Sequence, residues 1–90
     1  MAALDLLGRR WTLRLVWELR NGPVGARDLR QRCDEMSSSV LYQRLGDLVD
    51  TRIVEKNDAG HYELTPIGRD LYGALEPLIT WSDRWAKLQA

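Results

Sequence analysis

The sequence predicts a single, mostly α-helical domain with one small β-hairpin. Apolar residues recur at spacings of three and four over most of the chain, which is the period of amphipathic helices. Two short strand-like runs flank a turn sequence, and no repeat or linker divides the 90 residues. A core of this size stabilises a chain only marginally, so a partner subunit would add stability.

The composition argues against several classes of protein. Cys33 is the only cysteine and His61 the only histidine, so we expect no internal disulfide, no metal site and no cofactor. No pairing of a base with a nucleophile suggests a catalytic residue, so we expect no enzyme. The longest apolar run is far short of a membrane span and no leader is visible, which predicts a cytoplasmic protein without membrane contact.

Charge is balanced overall but unevenly distributed. The chain has 13 basic and 13 acidic residues, yet residues 9–32 hold seven arginines against two acidic residues. Arginine has the planar donor group best suited to bidentate contact with phosphate. These arginines either contact a polyanion or lie on solvated helix faces.

Two helices are predicted in the first quarter of the chain. The run AALDLL at residues 2–7 predicts a short helix that ends at Gly8. The run WTLRLVWELR at residues 11–20 predicts a second helix, closed by the sequence Asn-Gly-Pro. Because this helix is apolar around most of its circumference, we expect it to be covered on more than one side.

A helix-turn-helix is predicted at residues 26–50. ARDLRQRC suits a third helix with Asp28 in its first turn, and Ser37 offers the N-cap hydroxyl of a fourth. Many small helical domains share this pattern, so it is weakly specific alone. The runs RIVEK and HYELT around the turn NDAG then predict a hairpin at residues 52–65. Two helices followed by a hairpin are the order of a winged helix-turn-helix.

The last predicted helix, residues 66–90, is long for its domain. Thr65 caps it, Pro66 occupies its first position, and Pro77 is expected to kink it. Its apolar stripe over about 22 residues spans some 30 Å at roughly 1.5 Å per residue. Such a stripe outruns its own domain and predicts a homodimer built on the first and last helices, residues 1–8 and 66–90.

Three stretches closely resemble the HxlR-type winged helix-turn-helix transcriptional regulators, which are related to the MarR type. They are LDLLGRRWTLRLVWEL, SSSVLYQRLGDLVDTRIVEK and YELTPIGRDLYGALEPLITW. The most specific parts are the Gly-x-x-Trp opening of the second helix and the Tyr-x-Leu-Thr-x-x-Gly motif that begins at Tyr62. The resemblance implies a dimer, a recognition helix in the major groove of double-stranded DNA, and a hairpin wing near the minor groove.

This sequence departs from the family in two places. Many members have an N-terminal arm with a sensing cysteine, whereas this sequence starts at AALDLL, so redox sensing by that route is not expected. The wing turn NDAG is shorter than is usual and has few basic residues around it. Insertion of the wing into the minor groove is therefore not carried over.

The fourth helix has a polar face opposite its leucines. With Leu41, Leu45 and Leu48 in the core, its open side and flanks present short hydroxyls and a glutamine that suits an adenine edge. In a helix-turn-helix the preceding helix crosses the phosphate backbone. The candidate DNA-binding residues are Arg27, Arg30, Ser38, Ser39, Tyr42, Gln43, Arg44 and Lys56. The alternative is a solvated surface, with serines chosen for capping and arginines paired with nearby acids.

The apolar candidates concern the dimer and a ligand. The candidate dimerisation residues are Leu4, Leu7, Leu78, Trp81 and Trp85. Four tryptophans, Trp11, Trp17, Trp81 and Trp85, either anchor the packing or line a crevice between subunits for a small aromatic ligand. Cys33 is expected to be a small buried residue rather than a sensor.

Two functions from different classes remain. The first is a dimeric, sequence-specific DNA-binding regulator, a repressor that binds an inverted-repeat operator and is released by a small aromatic ligand. The second is a winged-helix module for dimerisation or protein contact that has no DNA-binding activity. The arginines of the third and fourth helices favour the first.

Overall fold

The computed structural model describes residues 1–89, which fold into a winged helix-turn-helix domain. The elements in chain order are α1 (Ala2–Leu7), α2 (Thr12–Glu18), α3 (Ala26–Arg32), α4 (Ser38–Asp50), β1 (Val54–Lys56), β2 (Tyr62–Leu64) and α5 (Pro66–Gln89). The mostly helical fold with one small hairpin is confirmed. Residue 90 lies outside the described part.

Local capping explains where the two longest helices begin. The Ser37 hydroxyl accepts a hydrogen bond from the Val40 amide at 3.2 Å, which satisfies one free donor of the first turn of α4. The Thr65 hydroxyl accepts from the Gly68 amide at 3.2 Å and donates to the Arg52 carbonyl at 2.6 Å. Both predicted caps are confirmed, and Thr65 also ties the start of α5 to the turn that follows α4.

The core lies where α2, α3, α4 and the hairpin meet the first half of α5. Its fully buried side chains come from every one of these layers except α5; they include Leu15, Val16, Leu19, Leu29, Leu41, Leu45, Leu48 and Val54. The buried leucines of α4 recur at spacings of four and three, as its sequence predicts. This core fixes which side of α4 faces outward.

The wing is a short antiparallel hairpin, with Val54 opposite Leu64 and Lys56 opposite Tyr62. In its turn the Asn57 side-chain oxygen accepts hydrogen bonds from two backbone amides, each at 3.0 Å. Gly60 has a φ of 81°, a conformation that glycine adopts without strain. The turn residues therefore close the hairpin as predicted.

One pairing escaped the sequence analysis. Val24, just before α3, exchanges two backbone hydrogen bonds of 2.9 Å with Tyr62, so the wing is anchored to the loop that leads into α3. The loop sequence GPVG is typical of a turn and lacks the alternation of apolar and polar residues that predicts a strand.

Helix α2 is shorter than the predicted 11–20. Trp11 lies at the N-cap with a φ of 78°, so the helix begins at Thr12 and ends at Glu18. A bulky residue rarely adopts this left-handed conformation, which the packing of its half-buried indole against the core must offset. Helix α5, in contrast, runs unbroken through Pro77.

Candidate nucleic-acid interface

Helix α4 presents a continuous polar surface to solvent. Its N-terminal half exposes Ser38, Ser39, Tyr42 and Gln43, and Tyr42 retains 59% of its accessible surface. Gly46, one turn after Tyr42, has open space around the position a Cβ would take, apart from the backbone of α4 itself. The predicted reading face is therefore accessible along its whole length.

The helix before it contributes the positive charge. Arg27 and Arg30 of α3 line an open cavity of about 660 Å³ between α3 and α4, together with Ser38 and Tyr42. Arg27 and Arg30 are one helical turn apart, so both guanidinium groups lie on the same side of α3. The cavity thus joins the two predicted phosphate-binding arginines to Ser38 and Tyr42 of α4 and also has Asp34 in its lining, whereas Ser39 and Gln43 do not line it.

Most other arginines near this end of the fold have acidic partners. These pairs are Arg9 with Asp47, Arg10 with Glu35, Arg14 with Glu18, Arg32 with Glu18, and Arg44 with Asp47. Within residues 1–89, neither Arg27 nor Arg30 has a carboxylate oxygen within 4.0 Å. Arg30 makes only a long bond of 3.4 Å to the Met36 carbonyl. Their charge is available to a ligand.

Arg44 has a different environment from the other DNA-binding candidates. Its Nη1 donates to Asp47 at 3.0 Å and its Nε donates to the Arg10 carbonyl at 3.1 Å. Only 17% of its side chain is exposed. Nε and Nη1 of its guanidinium are thus bonded within the protein, and its contact with DNA stays a prediction.

Lys56 lies on the wing rather than at the cavity between α3 and α4. Its side chain is exposed, and its ammonium lies 5.6 Å from the centroid of the Tyr62 ring. A DNA contact by Lys56 would therefore be a contact of the wing.

The dimerisation candidates form an exposed apolar surface. Leu78, Trp81 and Trp85 of α5 each keep about half of their accessible surface, Leu4 of α1 keeps 66%, and Leu7 is half-buried. Exposed indoles at this density on one helix are costly in water unless a partner covers them. The dimer itself stays a prediction.

The tryptophans do not gather at one place in the protomer. Trp17 packs against Tyr72, with ring centroids 6.1 Å apart, and lines an apolar cavity of about 410 Å³ between α2 and α5. Trp81 and Trp85 stack on each other farther along α5, and Trp11 lies at the start of α2 beside Arg10. A crevice shared by these tryptophans would need a second subunit.

Cys33 lies at the end of α3 and is 1% exposed. Burial raises the pKa of its thiol, and the nearby Arg14 guanidinium lowers it by less. In turn, a hydrogen bond to Glu18 raises the pKa of Arg14. The prediction of a buried cysteine is confirmed, and its thiol is poorly suited to react because the thiolate is the reactive form.

Asp47 was missed by the sequence analysis. Its carboxylate on α4 binds both Arg9 and Arg44, and Arg9 comes from the turn between α1 and α2. The spacing of three between Arg44 and Asp47 on a helix was a readable signal for one of these pairs. The pair with Arg9 spans 38 residues and needs the tertiary fold.

Two further observations concern metal binding and membrane spans. Among residues 1–89, no cluster of three or more His, Cys, Asp or Glu side chains is placed to hold a metal ion. Nor is any helix in this part of the chain long and apolar enough to cross a bilayer.

Helix α4 has an exposed polar face, the preceding helix has free arginines, and a hairpin wing follows. These features define a winged helix-turn-helix regulator that binds DNA. The HxlR-like helix-turn-helix family profile matches residues 6–90, and the chain belongs to this family. It is thus a DNA-binding transcription regulator, as its sequence resemblance implies.

Individual relatives agree with this assignment. The HTH-type transcriptional regulator YodB of Bacillus subtilis is 26% identical over 92 residues, which cover 96% of this chain and 82% of YodB. The crystal structure of quinone-bound YodB superposes with a TM-score of 0.85 at 29% identity, covering 92% of this chain and 93% of that one. A possible HxlR family transcriptional factor of Thermoplasma volcanium gives a TM-score of 0.84 at 30% identity, covering 93% and 81%.

Proposed function

We propose that the protein is a homodimeric repressor that binds an inverted-repeat operator, with α4 in the major groove and α3 across the phosphate backbone. One observation carries the proposal. Arg27 and Arg30, without acidic partners among residues 1–89, line the same cavity as Ser38 and Tyr42 at the exposed start of α4.

The arrangement separates two kinds of contact. Guanidinium groups at the cavity would bind phosphate oxygens in any sequence and fix the position of the protein on the duplex. Gln43 and Ser39, farther out on α4, carry the donors and acceptors that distinguish base edges in the major groove. Affinity should then depend strongly on salt, whereas discrimination among sequences should depend on α4.

The homodimer rests on the exposed apolar part of α5. Leu78, Trp81 and Trp85 extend beyond the core, and the long axis of the protomer measures 44 Å against 26 and 25 Å across. A second copy related by a two-fold axis would cover these side chains and place two α4 helices on one face of a duplex.

A footprint on the DNA upstream of the protein's own coding sequence tests the proposal. The expected result is protection of two half-sites related by inversion, with centres about one helical turn, or a multiple of it, apart. Repression is tested by placing that site before a reporter. Absence of any protected site at low salt, together with uniform weak binding to all duplexes, would favour the alternative of a module for dimerisation or protein contact.

A second candidate function is release from DNA by a small aromatic ligand. The apolar cavity of about 410 Å³ lined by Trp17, Leu75 and Leu78 supports it, and quinone-bound YodB shows that a relative of this chain takes a quinone. Titration of the protein–DNA complex with a naphthoquinone tests it, and Cys33→Ser distinguishes reversible binding from reaction with the thiol. Complexes of wild type and Cys33→Ser that both survive saturating quinone would contradict it.

A further inference from the structure

A cluster of three polar side chains ties the reading helix to the turn between α1 and α2, residues 8–11. The Asp47 carboxylate oxygen accepts from Arg9 Nη1 at 2.9 Å and from Arg44 Nη1 at 3.0 Å. Arg44 Nε also donates to the Arg10 carbonyl at 3.1 Å. The second half of α4 is therefore held to this turn by two cross-links, one from Asp47 to Arg9 and one from Arg44 to the Arg10 carbonyl. The bond between Arg44 and Asp47 joins the two.

The turn itself is firmly placed. Trp11 adopts a φ of 78° with its half-buried indole packed against the core, and the Arg10 guanidinium lies 5.1 Å from the centroid of that ring. At its other end, the Gly8 amide donates to the Leu4 carbonyl at 2.8 Å and closes α1. A shift of α1 would thus also move Arg9 and the Arg10 carbonyl.

The turn of residues 8–11 also leads to α1, which belongs to the surface expected to contact a second copy of the chain. Helix α1 exposes Leu4, and its Leu6 and Leu7 line an apolar cavity of about 340 Å³ with Ile67 and Leu71 of α5. Asp47, on the helix that would read DNA, is therefore linked through this turn to the surface that would set the dimer geometry.

We propose that Asp47 is a positioning residue that sets the angle of α4 relative to α1, and thereby the half-site spacing the dimer accepts. The inference rests on the proposed function, since it needs a homodimer on DNA. In this role Arg44 binds Asp47 and the Arg10 carbonyl rather than a phosphate.

The cluster is better suited to orientation than to stability. The buried leucines of α4 and the Ser37 cap already secure the helix, and partly exposed ion pairs contribute little to folding. A helix of 13 residues is about 20 Å long at roughly 1.5 Å per residue. Tilting it by about 10° moves one end by roughly 3.4 Å, which is about the rise of one base pair. A small change in the angle of α4 is therefore enough to alter the preferred spacing by one base pair.

The test uses duplexes with identical half-sites whose centres lie at the footprinted spacing or one or two base pairs nearer or farther, and a duplex with one half-site. Asp47→Asn removes the negative charge of the ion pair, and Arg9→Gln removes its positive charge. Asp50→Asn, an exposed acid one turn away on α4, is the matched control for loss of charge. Thermal denaturation of each variant checks that it is folded.

Wild type and Asp50→Asn are expected to lose about tenfold in affinity for a shift of one base pair, comparable with one mismatch. Asp47→Asn and Arg9→Gln are expected to lose less than about threefold for that shift, with unchanged affinity for the single half-site. An unchanged spacing profile in Asp47→Asn, a wild type indifferent to spacing, or an equal loss on every duplex would each overturn the inference. The first and third results would leave the proposed function standing, whereas a wild type indifferent to spacing, or one that binds no inverted repeat, would overturn both.

Discussion

Trp81 and Trp85 stack on each other on the exposed part of α5, with ring centroids 6.0 Å apart and ring planes 8° apart. Each indole is 50% exposed. Adjacent turns of one helix thus hold a flat apolar surface in place without help from the core, which is the form of an interface anchor.

Replacing one of these indoles with a charged group should therefore dissociate the dimer. In Trp85→Glu a carboxylate replaces an aromatic anchor, which should cost about 2 kcal/mol or more, roughly thirtyfold in the dimer Kd. Sedimentation velocity measures the change. Thr80→Glu adds the same charge on the same helix without removing apolar surface, and should remain dimeric. A wild type that is monomeric at tens of micromolar would contradict the dimer.

Cys33→Ser should leave DNA binding and its response to peroxide or quinone unchanged. The thiol is buried, burial raises its pKa, and it is the only cysteine of the chain, so little thiolate forms at neutral pH and no resolving thiol lies within the protomer. Anisotropy of a labelled duplex before and after oxidant measures the response. Because burying the serine hydroxyl without a hydrogen-bond partner can destabilise the fold, Cys33→Ala is measured as a second variant. Release of wild type but not of either variant would show that Cys33 is a sensor.

Gly68→Ala should destabilise the fold. A Cβ at this position would overlap the Ile53 carbonyl oxygen, so the backbone must move to make room. The expected cost is about 1 to 3 kcal/mol of unfolding free energy, as for overpacking elsewhere. Urea denaturation measures it.

Gly46→Ala is the matched control for that substitution. Gly46 is also helical but has open space around its Cβ position, so alanine should stabilise α4 by about 0.5 to 1 kcal/mol. Equal effects of the two substitutions on stability would show that the close approach at Gly68 does not constrain the fold.

The sequence predicted the parts of the fold that depend on local chemistry. Ser37 and Thr65 precede apolar runs and cap them, and the NDAG turn closes a hairpin because Asn57 and Gly60 supply the required geometry. Leu41 and its partners on α4 fixed the buried face, so Gln43 on the opposite face could be predicted to be exposed.

The features that escaped prediction depend on residues distant in sequence. The pairing of Val24 with Tyr62 joins a turn to a strand, and the ion pair of Arg9 with Asp47 joins a turn to a helix. Neither has a periodic signal in the sequence. For the same reason, the hydrogen bond from Arg44 to the Arg10 carbonyl could not be predicted from the helix position of Arg44 alone.

If α4 reads bases while α3 holds phosphates, Gln43→Ala and Arg30→Ala separate the two roles. Loss of Gln43 should cost about 1 to 3 kcal/mol on the preferred site and relax discrimination at one base pair in each half-site, with non-specific binding little changed. Loss of Arg30 should weaken binding to every sequence alike and reduce the salt slope by roughly one counterion per subunit.

A salt titration of both variants by fluorescence anisotropy, on the operator and on a scrambled duplex, tests this claim most directly. Gln43→Ala is expected to lose affinity on the operator alone, and Arg30→Ala is expected to lose it on both duplexes with a shallower dependence on salt. If both variants lost affinity equally on both duplexes, α4 would not be the reading helix and the assignment of the groove would be wrong.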